Sequence, residues 1–355
     1  MLTWILSGDT PRSRLLVLLL VATFVCLAAA PFLFPGAKPY QVTTQILCYV
    51  LLVASYDLLL GYTGIVSFAH TMFFGLGAYG VAIALRAYPG SWVWLGIGAV
   101  AGIAAAGFLA LVVGLFSLRV RAIFFAMVTL AVAGAFEVLV SQLFHITGGE
   151  DGMSFRLPFE LGPAFRPFGN EPVLGIRITG RTLAYYLVFA VALVGFLVLL
   201  RIVNSPFGRV LQAIRENDFR AEAIGFRTVV YRTIANVAAA KFAALAGALL
   251  AISTAYVGPA NTLASSIMIN ILLMVVIGGM GTMYGAVLGA VVFILAQSYL
   301  QPLMGGVQGA LHAMPVVPEL FNPERWLLWL GVLFILSVYF FPTGIVGRLR
   351  QGRAA

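Results

Sequence analysis

Long apolar runs, broken at intervals by glycine, proline and arginine, recur along the chain from Leu15 to the last few residues. An α-helix needs about 20 such residues to cross a bilayer. Leu15 to Phe34 is the first run, and later ones fall at approximately 42 to 60, 64 to 86, 92 to 116, 122 to 145, 182 to 203, 232 to 254, 264 to 281, 284 to 304 and 326 to 341. The pattern predicts an all-α polytopic membrane protein with about ten transmembrane helices. Leu15 to Phe34 also reads as a secretory signal ending in Ala28, Ala29 and Ala30. Its length and the runs that follow favour a first span.

Composition agrees. Hydrophobic residues make up 62% of the 355 and charged residues 9%, where a soluble domain carries about 25%. Mean hydropathy is +1.04. The chain reads as one membrane domain, residues 1 to 355. Its net charge of +9 is almost all arginine, with lysine only at Lys38 and Lys241. In a membrane protein that excess reads as positive-inside bias, not as a nucleic-acid surface. Cys26 and Cys48 lie in apolar runs without metal-ligand spacing and read as buried free thiols.

With the N-terminus in the cytoplasm of a bacterial inner membrane, Arg119 and Arg121, the segment 204 to 231, and Arg348, Arg350 and Arg353 fall on one side, and an even span count returns the C-terminus there. The loop 147 to 181 would then be periplasmic. Its Arg156, Arg166, Arg177 and Arg181 are balanced by Glu150, Asp151, Glu160 and Glu171. A second outer segment, 305 to 325, carries Pro315, Pro318 and Pro323 and would either dock a soluble partner or cap the bundle.

Between spans six and seven the chain reads NSPFGRVLQAIRENDFRAEAIGFRTVVYR, too polar for lipid. Ser205 before Pro206 predicts a helix start, Gly225 predicts its stop, and Val210, Leu211, Ile214, Ala221 and Ile224 supply apolar residues for one side. Arg209, Arg215, Arg220 and Arg227 alternate with Glu216, Asp218 and Glu222. A lipid-surface helix would be more uniformly basic, so mixed charge around an apolar ridge points to a protein groove.

The run GRVLQAIRENDFRAEAIGF resembles the cytoplasmic coupling segment of the permeases of branched-chain amino acid ABC importers. Elsewhere along the chain, DLLLGYTGIVSFAHTMFFGLGAYG at 57 to 80, LRVRAIFFAMVTLA at 118 to 131, TGGEDG at 147 to 152, MVVIGGMGTMYGAVLGA at 274 to 290 and FPTGIVG at 341 to 347 resemble other parts of the same permeases. The resemblance implies that Gly208, Arg209, Ala213, Ile214, Arg215, Glu216, Asn217, Ala221 and Gly225 form the ATPase contact. It also implies a second homologous permease subunit, two ATPase subunits that bind ATP and Mg, and a periplasmic substrate-binding protein; this chain itself holds no cofactor. Leucine, isoleucine and valine are the substrates it implies, with urea, short amides or aromatic acids as alternatives in the same family. The chain has no GxxxxGK[ST] loop, so its energy source is expected elsewhere.

Two glycine breaks, GYTG at 61 to 64 and GGMGTMYG at 278 to 285, expose backbone that must face protein or water; close helix packing is the other reading. Tyr62, Thr63, Ser67 and His70 follow the first break and are candidate pathway residues. Glu137 and Lys241, with Asn236 and Asn270, are polar at membrane depth and need partners or water. Glu137 and Lys241 would suit either an interhelical ion pair or a pathway role. The layout suggests an inverted repeat of spans two to five and seven to ten. No metal or catalytic constellation is readable around His70, His145 and His312. An ion-coupled carrier would need paired carboxylates in the spans, where only Glu137 stands out, and a membrane scaffold would use the glycines for packing alone.

Overall fold

A backbone in hydrocarbon must satisfy its own N–H and C=O groups, so the apolar runs of this chain fold as helices in the computed structural model. The structure describes residues 14–34, 36–117, 122–167, 178–310, 322–341 and 343–351. Expectations resting on Arg12, Arg119, Arg121, Glu171, Arg177, Pro315, Pro318 and Arg353 lie outside the described residues.

The membrane helices are α1 Arg14–Leu33, α2 Ala37–Thr63, α3 His70–Ala87, α4 Trp92–Ser117 and α5 Ala122–Gln142; a one-turn helix, α6 Phe144–Thr147, follows. After the loop come α7 Gly180–Val203, the short α8 Pro206–Glu216 and α9 Asp218–Ala223, and α10 Thr228–Thr254. The chain continues with α11 Pro259–Thr262, α12 Ser265–Gly278, α13 Met283–Ala310, α14 Trp326–Phe340 and α15 Gly344–Gln351. Two-residue strands β1 Met153–Ser154 and β2 Tyr256–Val257 pair antiparallel, Met153 opposite Val257.

Nine segments among the described residues are long and apolar enough to cross a membrane. The tenth expected run, 64 to 86, is represented by α3, which starts only at His70 because Gly64–Ala69 is not helical. Contacts at its two ends show that α3 also crosses. Its start follows Gly64, where an added Cβ would meet the Arg215 side chain at 3.2 Å. Beyond its end, the Gly90 amide donates to the Arg156 carbonyl at 3.2 Å. Arg215 belongs to the end of the bundle that holds α8 and α9, here called proximal; Arg156 belongs to the opposite, distal end, with β1 and β2. Eighteen residues of helix span about 27 Å, close to the hydrocarbon thickness.

The remaining helices alternate between these ends. Tyr185 and Tyr186, near the distal start of α7, donate to the carbonyls of Leu27 and Ala28 at 2.5 and 2.9 Å, which places the end of α1 distally. The start of α15 packs on Gly279 at the proximal end, where a Cβ on Gly344 would fall 2.2 Å from the Gly279 Cα. Both α1 and the chain after α14 therefore reach the proximal end.

At the centre lies α2, with 94% of its most apolar window buried, against 22% for α1 and for α5. It packs on α7, α10, α12 and α13. Against α3, α10 presents Ala239, Ala240, Ala243, Ala244 and Gly247; a Cβ on Gly247 would stand 1.8 Å from the Phe74 carbonyl oxygen. Small residues thus bring these backbones together, as in membrane helix packing generally. The exposed leucines and phenylalanines of α1, α5 and α14 form the outer surface. Cys48 is buried in α2, but Cys26 is exposed on α1, contrary to expectation, because its side chain lies on the outward face of a peripheral helix.

The two glycine breaks that the sequence layout assigned to opposite halves meet each other at the proximal end. They follow α2 and α12, two helices that run in the same direction, and so are not mates in an inverted repeat. The break that follows α10, at 255–264, lies at the distal end. Its first residue, Ala255, is the one non-glycine residue with positive φ among the described residues, at 52°. The left-handed region costs an alanine roughly 1–2 kcal/mol, while glycine loosens the unfolded chain by about 0.5–1 kcal/mol. Ala255→Gly should therefore raise stability by about 0.5 kcal/mol, seen as a small upward shift of the thermal unfolding midpoint in detergent.

Candidate coupling site

Polar chain between α7 and α10 cannot enter lipid, and it folds against the proximal end. Ser205 caps α8, its hydroxyl accepting from the Gly208 amide at 3.4 Å, with Pro206 in the first turn. One helix was expected up to Gly225; two form. Asn217 leaves helical geometry, and its side chain caps α9 by accepting from the Arg220 amide at 3.0 Å. An asparagine that can cap a new helix makes this corner favourable. Gly225, with φ 97°, follows α9. Thr228 donates to Glu222 at 2.7 Å and Arg232 pairs with Asp218 at 3.0 Å, so the segment is tied to the first turns of α10.

The expected apolar ridge divides into two. Leu211, Ile214 and Ala221 are buried against the bundle, with Gly208 beside the Val203 carbonyl. Phe219 and Ile224 point the other way, 86% and 72% exposed. Among the predicted contact residues, Arg209, Arg215, Glu216, Asn217 and Gly225 are exposed, Ala213 is half-buried, and Gly208, Ile214 and Ala221 face the bundle. Sequence reasoning included Ile224 in the ridge but missed Phe219, whose flanking charges hid it.

Arg215 reaches inward despite its exposed stem. Its Nη1 donates to the Gly61 carbonyl, and the same nitrogen lies 2.8 Å from where a Cβ on Gly281 would stand. Gly281, with φ 79°, donates its amide to Oδ1 of the buried Asp57 at 2.9 Å. A Cβ on Gly61 would stand 2.4 Å from the Gly281 nitrogen, so only glycine permits this approach. One arginine of the polar segment and one aspartate of α2 thus hold together the breaks after α2 and after α12. Asp57 was missed; a carboxylate in an apolar run, one turn before Gly61, was the available signal.

The candidate pathway residues sit close by but in the core. Tyr62, Thr63, Ser67 and His70 are all buried. Thr63 donates to the Leu59 carbonyl at 2.5 Å, and Ser67 accepts from the Ala69 amide at 3.4 Å. His70 Nε2 and Ser55 Oγ share a hydrogen bond of 2.9 Å, and the Tyr56 ring meets the imidazole edge-on at 5.1 Å. None of the four lines the large cavity between α2, α7, α10 and α12 at the distal end. Asn236 finds a partner in the Ala110 carbonyl at 2.8 Å. Glu137 and Lys241 do not pair: Glu137 lies half-buried on the peripheral α5, while Lys241 is exposed in a groove of about 490 Å³ between α4 and α10. Its stem lies along α4, where a Cβ on Gly107 would fall 2.8 Å from the lysine Cε.

Nine helices among the described residues long and apolar enough to cross a membrane, α3 running between the same two ends, and a clamped polar segment at one end are those of a multi-pass membrane protein. Residues 39–338 match the family described as the permease component of branched-chain amino acid transport systems, and the chain belongs to that family. It is 27% identical to the high-affinity branched-chain amino acid transport system permease protein LivM of Salmonella typhimurium and 28% identical to that of Escherichia coli. Each alignment covers 97% of this chain and 77% of the relative. A probable branched-chain amino acid transport permease protein LivM of Methanocaldococcus jannaschii is 25% identical, over 65% of this chain and 61% of its own length. No solved structure matches.

Proposed function

We propose that this chain is a permease subunit that imports leucine, isoleucine and valine across a bacterial inner membrane, driven by ATP hydrolysed on separate subunits docked at α8 and α9. The observation that carries the proposal is Phe219 and Ile224, two large apolar side chains exposed at one tip of a segment held to the bundle by Arg215, Asp218 and Arg232. Exposed anchors on a braced support suit a rigid partner groove, since little order is lost on docking. Arg220 and Glu222 lie between them in sequence and, with Arg209 and Glu216 exposed on α8, supply mixed charge that would set register with the partner. In this reading the proximal end, with both termini, is cytoplasmic, as the arginines of the segment favour. A second permease of the same family completes the membrane unit, two ATPases carry ATP and Mg, and a periplasmic binding protein delivers substrate to the distal end.

ATP-driven closure of the ATPases moves the segment. Through the Arg215 clamp the motion reaches the ends of α2 and α12 together, and the two membrane subunits exchange access from one side to the other. The substrate assignment is supported by the family and by what its relatives are named for. Proteoliposomes holding the permease pair and the ATPases should accumulate labelled leucine only with internal-to-complex ATP hydrolysis and added binding protein, and accumulate urea far less. Leucine uptake by this chain without any ATPase, driven by an ion gradient, would overturn the proposal in favour of a secondary carrier.

A further inference from the structure

A cavity of about 1010 Å³ opens at the distal end, between α2, α7, α10 and α12 and the loop after β1. Its lining is organised by helix periodicity. On α2, Gln41, Gln45 and Tyr49 recur every four residues and share one face, and Ser266 and Asn270 do the same on α12. Gln297 of α13 joins them. Tyr49 is twelve residues into α2, about 18 Å from its distal start, so the polar row descends to roughly the middle of a bilayer. Amide side chains at that depth are costly against lipid and are tolerated where water or a polar ligand meets them.

Charge and apolar surface are separated within the cavity. Arg156 and Arg181 stand at its walls, both exposed, and no aspartate or glutamate among the described residues lines it. Two guanidiniums on a wall with no carboxylate among its described lining residues favour a carboxylate ligand, which they can hold through paired N–H···O bonds. Phe155, Leu157, Leu250, Ile252 and Ile267 supply apolar wall. Ala255, held in the left-handed region, also lines the cavity, and strained backbone of this kind gathers at ligand sites.

We infer that this cavity, enclosed by the one chain, is a substrate site in which Arg156 and Arg181 receive the carboxylate of an aliphatic amino acid while the Gln45, Tyr49 and Asn270 tier meets its polar end on descent. The inference rests on the importer reading for its substrate class. It adds a place lined by this subunit's own residues for substrate, and it disfavours urea, which has no carboxylate for the arginines.

The test uses the full chain in lipid nanodiscs with Cys26→Ser and Cys48→Ser, carrying either Gln45→Cys or Asn270→Cys, one from each wall. Both new thiols should react with a water-soluble cationic methanethiosulfonate. Leucine should slow the reaction about tenfold at a concentration about ten times its dissociation constant, as simple occupancy requires. Leucinol, which lacks the carboxylate, should slow it little, and Arg156→Ala with Arg181→Ala should abolish the leucine effect. Thiols that fail to react, leucine without effect, or leucinol protecting as well as leucine would each overturn the inference. Leucine uptake by the assembled transporter without protection removes the site and leaves the importer reading; protection without ATP-driven uptake leaves the site and removes the importer reading.

Discussion

Aspartate at both Phe219 and Ile224 should leave the bundle folded and abolish ATP-driven uptake. Both side chains are largely exposed, so their removal uncovers no core and leaves no cavity. At a docked interface each would act as an anchor worth about 2 kcal/mol, and losing both weakens association by about 4 kcal/mol, roughly a thousandfold. The buried carboxylates would oppose docking further. Co-purification of the ATPases should be lost while the thermal midpoint of the permease in detergent stays within a degree or two of wild type. Retained ATPase association in the double variant would reject these two residues as the docking anchors.

The second large effect is expected inside the clamp. Gly61→Val places a branched side chain where a Cβ alone would stand 2.1 Å from Asp57 Oδ1 and 2.4 Å from the Gly281 nitrogen. Both neighbours belong to packed backbone or to a buried carboxylate, so neither can swing aside. The substitution must part α2 from the 279–282 turn and take the Gly281 amide from Asp57. Overpacking costs about 1–3 kcal/mol, and stripping a partner from a buried charge costs about 3–5 kcal/mol, enough together to threaten a marginally stable fold. Size-exclusion chromatography of the detergent extract should show loss of the monodisperse peak. A well-folded Gly61→Val chain would mean that the two breaks do not need to touch.

Much of this fold was legible because lipid leaves few choices. The apolar runs, the alternation of ends and the place of the polar segment follow from run length and from where arginine and proline interrupt it. What the pattern did not contain is direction. Leu211, Ile214 and Ile224 all read as one ridge, since helical spacing tells which residues share a face and not whether that face meets the chain itself or a partner. The corner at Asn217, which turns α9 away from α8, splits the ridge, and an asparagine between charged neighbours is a weak signal for a corner. Arg215 read as an ATPase contact through the family resemblance, and nothing in the sequence pointed to its guanidinium reaching the Gly61 carbonyl.

Among polar residues at membrane depth, Glu137, Lys241, Asn236 and Asn270 stand out in the sequence, and of these Asn270 lines the distal cavity, while Gln41, Gln45 and Tyr49 do not stand out. Their four-residue spacing was visible in the sequence. Its meaning depends on α12 and α13 leaving a gap opposite, which is a matter of helix packing over long chain separations. The same holds for the two glycine breaks. Each was readable as a break, but that they meet at one end depends on α2 and α12 descending side by side.

The burial of α2 has a mechanical consequence. The helix runs from the tyrosine and glutamines of the distal cavity to the glycine held by Arg215, without proline beyond its first turn and packed along nearly all its length. Proline or a break in the i→i−4 ladder is where long helices bend, and α2 is continuous helix without proline between Gln45 and Gly61. It therefore acts as a strut of about 24 Å. On the proposed coupling, a small displacement applied at the proximal end would be delivered to Gln45 almost undiminished, and the cavity would change shape in step with α8 and α9 and not after a delay of its own.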